Sequence, residues 1–236
     1  MSSAFDHEPW SLALSDFDVD GAIADAAGRL PTRAQVLAGG AAAGAAVFLG
    51  TLGLRPATAA AKVSSSDVAV LNFALTLEYL QAAFYTEAER VGALRGALAD
   101  QAREVGAHER AHVKGFRTVL GPAAVKAPHF DFHGVTDSAG SFRSTAVAFE
   151  DLAVAAYKEQ LPKIRSREYL ATAVAIHSVE ARHAAWIRRL AGIVPALHAF
   201  DEPLADRSVV TIVNSTHFVN LTGPVTSAQR APGFTG

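Results

Sequence analysis

A glutamate and a histidine stand three residues apart twice in this chain, each time within a segment of helical periodicity. The segment "HERAH" contains Glu109 and His112, and the segment "VEARH" contains Glu180 and His183. Residues three apart lie within about 60° of each other on a helix, so both side chains of a pair can reach one point. Helices use such positions for packing, and buried charges have a high cost unless they meet opposite charges. The fold must therefore compensate the charges of both pairs.

Two more glutamates, Glu78 and Glu150, occupy helix positions with mostly apolar neighbours at helical spacing, where leucine would be expected. The polar residues repeat along the chain at a spacing of 72 or 71 residues, in the pairs Glu78–Glu150, Tyr85–Tyr157, Glu109–Glu180 and His112–His183. The apolar residues between them do not repeat closely. The repeat therefore lies in the polar positions of the core.

Apolar periodicity and helix-end signals predict four helices, over residues 67–90, 95–120, 141–161 and 168–190. The short links within the first and second pairs of helices predict two antiparallel hairpins. The link of roughly 20 residues between the pairs can travel the whole length of a helix. We therefore predict an all-α four-helix bundle with one long crossover, within residues 62–192.

Two interpretations of the buried polar residues remain, ordinary ion pairs or ligands to metal. Ion pairs with two histidines would leave carboxylates uncompensated, and burying an unpaired carboxylate costs several kcal/mol. Two divalent cations would balance four carboxylates. The chain has no cysteine, which excludes disulfides, thiolate zinc sites and iron–sulfur clusters. Oxygen and nitrogen ligands suit iron and manganese alike.

Several stretches resemble the bacterial ferritin-like domain family, which also includes plant desiccation-related proteins: "LNFALTLEYLQAAFY", "AHERAH", "APHFDFHG", "VAFEDLAVAAY" and "AIHSVEARHAAWIRRLAG". The resemblance covers about residues 66–203 and implies a ferritin-like bundle. It also implies a dinuclear site with two transition-metal ions, iron or manganese. The metal ligands that it implies are Glu78, Glu109, His112, Glu150, Glu180 and His183.

Other polar residues have less specific interpretations. Tyr85 and Tyr157 each follow a candidate ligand by two helical turns, so they either pack in the core or serve catalysis beside the metals. We expect His108 at the surface, on another side of its helix than Glu109, and His177 behind the ligands or in the core. A solvated loop is expected for the two crossover histidines, His129 and His133.

Two classes of function remain open. In the first, the site is a redox centre that reacts with O2 or peroxide, with ferroxidase, peroxidase or catalase-like activity. In the second, the metals are structural, and the chain is a stress- or desiccation-protective protein that self-assembles. The net charge of −2 and the lack of an evident basic patch predict no nucleic-acid partner.

The sequences of the two terminal segments predict features outside the bundle. Residues 1–33 form an acidic arm that we expect to be poorly ordered. Within residues 34–61, the uncharged segment 34–54 follows Arg33 and precedes "ATAAAK", as in a Tat-like export signal or a membrane anchor. This predicts a protein of the periplasm, the cell surface or the medium. The extension 193–236 is expected to be irregular or strand-like, and its segment "SVVTIVNSTHFV" predicts a strand that wraps the bundle or pairs with a second copy, as a homo-oligomer.

Overall fold

The computed structural model describes residues 64–221. Its helices are α1 (Ser65–Val91), α2 (Gly96–Leu120), α3 (Ala139–Gln160), α4 (Arg167–Leu190) and α5 (Asp206–Ser215), with 3-10 turns at Gly121–Ala123 and Leu161–Lys163. The first four agree with the predicted helices to within two residues at each end. The predicted arm, 1–33, and the predicted export or anchor segment, 34–61, lie outside the described residues.

Serines begin three of the long helices. The hydroxyls of Ser64, Ser138 and Ser166 accept hydrogen bonds from the backbone N–H three residues further on, which satisfies one of the free donors at each helix start. α1 ends at Gly92, whose φ of 66° is the left-handed conformation that glycine adopts at low cost. Local sequence signals therefore set the helix ends.

The long helices form two antiparallel hairpins. Between α1 and α2, Glu78 contacts His112 whereas Tyr85 lies against Gly106, so the chain runs in opposite directions along the two helices. The contacts between α3 and α4 show the same reversal. α1 also packs on α3, and α2 packs on α4. The four helices therefore enclose one common interior.

The link between α2 and α3 runs along α1. Near the start of α1, the Asn72 amide oxygen accepts a hydrogen bond of 2.8 Å from the Val125 backbone N–H. Further along, the Tyr79 hydroxyl donates to the Val125 carbonyl at 3.3 Å, and the Phe84 and Phe132 rings lie 5.6 Å apart. The crossover thus follows α1 over several turns and confirms the predicted bundle connectivity.

The prediction of a strand within residues 208–219 is wrong, because most of this segment belongs to the helix α5. Val209 and Val213, four residues apart, share one side of α5 and are buried in the main hydrophobic core. This burial outweighs the β-propensity of the branched side chains. Beyond α5, the Phe218 carbonyl accepts a 2.9 Å hydrogen bond from the Asp131 N–H, so the extension packs on the crossover.

α1 is the most buried helix of the bundle. It contains a stretch that is long and apolar enough to cross a membrane, judged by length and composition alone, but 83% of that stretch is buried inside the protein. Phe84, for example, stacks on Phe142 of α3 with ring centroids 5.1 Å apart. The apolar character of α1 is therefore that of a core helix.

Candidate metal centre

Each long helix contributes to one polar cluster in the apolar interior. The four carboxylates are fully buried, and the two histidines are exposed by 6% or less. These residues lie on the apolar sides of their helices, so burying those sides takes the charged groups inside with them. The structure brings together all six of the predicted ligands, Glu78 of α1, Glu109 and His112 of α2, Glu150 of α3, and Glu180 and His183 of α4.

The cluster has two halves, each centred on one histidine. The Nδ1 atom of His112 lies 3.1 Å from Glu78 Oε2, 3.1 Å from Glu180 Oε1 and 3.5 Å from Glu109 Oε2. One ring nitrogen cannot donate its single hydrogen to three carboxylates. The atoms instead converge on a common point, as ligands of a cation do.

The second half repeats this arrangement around His183. Its Nδ1 atom lies 3.0 Å from Glu109 Oε1, 3.5 Å from Glu180 Oε2 and 3.6 Å from Glu150 Oε2. Glu109 and Glu180 each direct one oxygen to each histidine, whereas Glu150 serves one half only. In each half, four potential ligand atoms lie within 4.8 Å of one another. The two halves thus share the Glu109 and Glu180 carboxylates.

The donor atoms fit a metal better than they fit one another. Both oxygens of Glu109, both oxygens of Glu180 and Oε2 of Glu150 have no hydrogen-bond partner within residues 64–221, although all are buried. Such groups cost several kcal/mol each when left uncompensated. Cations would remove that cost, so the cluster can bind metal ions.

Without a cation, the pKa values show that protons compensate the cluster. Burial and the nearby Glu180 and Glu78 carboxylates raise the pKa of Glu109 well above its usual value, and burial raises the pKa of Glu150. Burial also tends to raise the pKa of Glu180, but contacts with the two histidines lower it to about 2.

The same carboxylates act on the histidines. Burial opposes the charged imidazolium of His183, yet its close contacts with the Glu109, Glu150 and Glu180 carboxylates raise its pKa to about 12. The pKa of His112 is likewise raised well above its usual value, against burial, first by Glu78. A metal ion at this site would therefore compete with protons.

Two tyrosines support the carboxylates that are not shared. The Tyr85 hydroxyl of α1 donates a hydrogen bond of 2.5 Å to Glu150 Oε1 of α3, and the Tyr157 hydroxyl of α3 donates to Glu78 Oε1 of α1. Burial and the adjacent carboxylates raise the pKa of both tyrosines well above the usual value, so the hydroxyls stay protonated as donors. The predicted catalytic role of Tyr85 and Tyr157 stays a prediction.

The family model of the ferritin-like domain matches residues 66–192, which is more than half of the chain. The chain belongs to the ferritin-like domain family. None of the curated proteins compared with the chain matches it. The match confirms the family resemblance and the all-α fold, and it ends with α4, before the extension that contains α5.

One residue of this ferritin-like domain does not lie where the sequence predicted. His108 was expected on the surface, but it is half-buried and its Nδ1 atom lies 2.9 Å from Nε2 of His183. Burial and the neighbouring His183 lower the pKa of His108. An uncharged His108 can accept the Nε2 proton of His183, which leaves the opposite nitrogen of that ring directed at the carboxylates. Its spacing of four residues from His112 was the available signal, since such residues share a helix side.

The remaining histidines of the ferritin-like domain stay outside the cluster. His177 is half-buried with its ring centroid 6.3 Å from that of Tyr157, which agrees with a place behind the candidate ligands. His129 and His133 are exposed in the crossover, as expected for a solvated loop. His133 Nε2 lies 3.1 Å from the carbonyl oxygen of His217, so it joins the crossover to the extension.

Proposed function

We propose that this ferritin-like domain binds two transition-metal ions, iron or manganese, and reacts with O2 or peroxide. The observation that carries the proposal is the pair of overlapping ligand groups that share Glu109 and Glu180. Six side chains for two ions leave coordination positions for an exogenous ligand. Oxygen and nitrogen donors suit both iron and manganese.

Some of the candidate ligands would hold both ions, and others would hold one. Glu109 and Glu180 would contribute to holding both ions, since each has one oxygen near each histidine. Glu78 and Glu150 would each help to hold one ion with one oxygen, while the other oxygen accepts a hydrogen bond from a tyrosine hydroxyl. Bound iron or manganese would supply the electrons that reduce O2 or peroxide. The apolar helix sides around the cluster exclude water from it.

The proposal is tested by loading metal-depleted protein with Fe(II) or Mn(II) without oxygen and then mixing it with O2 or with peroxide. We expect about two ions per chain, as in dinuclear carboxylate sites, and an oxidation faster than that of the free metal ion in buffer. The Glu180→Gln variant should bind fewer ions, whereas the control Glu168→Gln changes an exposed residue of the same helix. A folded wild-type protein that takes up neither metal would refute the proposal.

A structural role for the metals is the second candidate. It is favoured by the burial of all six candidate ligands, since a site that admits a substrate needs access from solvent. In that case the metals stabilise the bundle of a stress- or desiccation-protective protein. The same mixing experiment separates the two functions, because a structural site would take up metal but react no faster than the free ion.

Export is proposed on the sequence of residues 34–54 alone, since this segment is apolar and is followed by small residues. In cells that produce the full chain, fractionation should place the bundle beyond the cytoplasmic membrane, either released near Ala61 or anchored. A cytosolic pool with an intact N-terminus would contradict both forms of this proposal.

A further inference from the structure

We propose that a groove on the solvent side of α2 binds an organic phosphate, independently of the metal cluster. The groove has a volume of about 640 Å³ and lies between α2 and the first residues of the crossover. The described residues that line it include four basic side chains and no acidic one. The basic residues are Arg110, Lys114, Arg117 and Lys126.

The fold brings these charges together from two elements. Arg110, Lys114 and Arg117 follow one another on α2 at a spacing of four and three residues, so they form one stripe on its surface. Lys126 belongs to the crossover, where Asn72 holds the preceding residue, Val125, by a hydrogen bond of 2.8 Å. Because this part of the crossover is held against α1, it places a fourth cation, Lys126, beside the stripe.

The groove has an excess of positive charge. Neither Arg117 nor Lys126 forms an ion pair or a side-chain hydrogen bond with any residue of the described range 64–221, whereas Arg110 is partly neutralised by Glu89 at 3.0 Å. The whole chain carries a net charge of −2, so its composition alone does not produce this concentration of cations. A guanidinium that can donate two parallel hydrogen bonds, Arg117, next to an ammonium group, Lys126, is a donor set that binds phosphate.

The neighbouring surface suits the organic part of such a ligand. A second groove of about 570 Å³ continues along the crossover over alanine and phenylalanine side chains. The two grooves share four residues, Tyr79, Arg110, Val113 and Ala127. The second groove also contains Glu87 and Asp131, so the excess of positive charge is confined to the first groove. The two volumes lie within the range of about 300–1,000 Å³ that small-molecule sites occupy. The ligand class is therefore a phosphate joined to a small organic body, from a soluble ester or from a lipid headgroup.

The test compares two double variants of the metal-loaded full chain. Fructose 1,6-bisphosphate serves as the soluble probe in calorimetric titrations at low salt, where ionic contacts are least screened. We expect saturable binding that weakens about tenfold or more in Arg117→Gln/Lys126→Gln, because two charge-assisted contacts are lost. The control Arg103→Gln/Arg182→Gln removes the same charge from exposed positions outside the groove and should bind as the wild type does.

A second arm identifies the source of the phosphate. Phosphatidylcholine vesicles with and without phosphatidylglycerol are sedimented with the wild type and both double variants. Binding that needs phosphatidylglycerol and is lost only in the groove variant would support a lipid headgroup. If the groove variant melts at a lower temperature than the control, the single substitution Lys126→Gln takes its place in both arms.

Three results would overturn the proposal. The first is that the wild type binds neither probe. The second is that the control variant loses as much affinity as the groove variant. The third is vesicle binding that survives the groove substitutions without any binding of the soluble probe, because another part of the chain then causes it.

Discussion

At the scale of single residues, the cluster depends on groups that are not themselves candidate ligands. The two tyrosine hydroxyls each bind a carboxylate on the opposite hairpin, Tyr85 to Glu150 and Tyr157 to Glu78. His108 binds the outer nitrogen of His183. Partners of this kind orient the ligands of a metal and adjust their basicity.

Substitution of Tyr157 by phenylalanine separates core packing from chemistry. The Tyr157→Phe variant keeps the ring in the core but removes the proton donor to Glu78. We expect it to fold and to bind metal, but to react with O2 or peroxide more slowly than the wild type. The control is Tyr79→Phe, which removes a hydroxyl that, within the described part of the chain, is bound only to the Val125 backbone. If the two variants react at equal rates with O2 or peroxide, the Tyr157 hydroxyl has no role in the reaction and the residue serves core packing.

Substitution of His108 tests its support of His183. The His108→Ala variant should bind Fe(II) or Mn(II) about 10- to 100-fold more weakly, the usual loss when the partner of a ligand is removed. Competition with a chelator measures this affinity without any turnover. The exposed His129 of the crossover provides the control, His129→Ala. An affinity equal to that of the control would show that the contact of 2.9 Å between His108 and His183 does not position the ligand.

At the scale of the elements, the close approach of α1 and α2 depends on a glycine. A Cβ atom added at Gly106 would lie 2.9 Å from Cβ of Tyr85 and 2.6 Å from Oε1 of Glu89. The Glu89 side chain can move, but the Tyr85 Cβ is fixed to the α1 backbone. The two helices must therefore separate if position 106 has a side chain, next to the tyrosine that binds Glu150.

The prediction for this helix contact uses two glycines of α2. Gly106→Ala should lower the free energy of unfolding by about 1–3 kcal/mol, the usual cost of overpacking. Gly115→Ala should raise it by about 0.5–1 kcal/mol, because alanine is the better helix former and, among the described residues beyond its own stretch of helix, no atom lies within 4 Å of the added Cβ. Denaturant unfolding of the metal-free variants measures both values. A Gly106→Ala variant as stable as the wild type would contradict the close approach.

At the scale of the whole molecule, the buried cluster links the stability of the bundle to pH and metal. The folded pKa of His183, about 12, and that of His112 lie above the usual value of 6.5. The folded protein therefore binds more protons than the unfolded chain above that pH, and its stability decreases as the pH rises. The raised pKa values of Glu109 and Glu150 act in the same direction above 4.5. Glu180, lowered to about 2, acts oppositely but only below 4.5.

Metal-free protein should therefore lose stability as the pH rises from about 6.5 toward the folded pKa of His183 at about 12, by up to roughly 1.4 kcal/mol per pH unit for each of the two histidines. Metal-loaded protein should depend on pH less strongly, because metal affinity increases as protons leave the ligands. Guanidinium unfolding at several pH values measures both forms. A stability of the metal-free form that does not change over this window would mean that the acids and histidines are not buried together.

The sequence alone determined the helices, the crossover and the members of the candidate metal cluster. Helix periodicity and serine caps are local properties, so they could be recognised without knowledge of the packing. The cluster was predictable because a glutamate on an apolar helix side has a high cost unless it meets a compensating charge. Its repeat at 72 or 71 residues showed that the second pair of helices carries the same polar core positions as the first. The ligand role of these residues stays a prediction.

Only the tertiary structure decided which groups meet across different helices. Tyr85 lies two turns from Glu78 in the sequence, but α1 and α3 run in opposite directions, and its hydroxyl therefore reaches Glu150. The β-branched segment of α5 became a helix because Val209 and Val213 are buried on one side. The basic groove was not evident in the sequence, since Lys126 joins the α2 stripe only through the crossover. Such contacts depend on the orientation of packed elements, which local propensity and spacing do not determine.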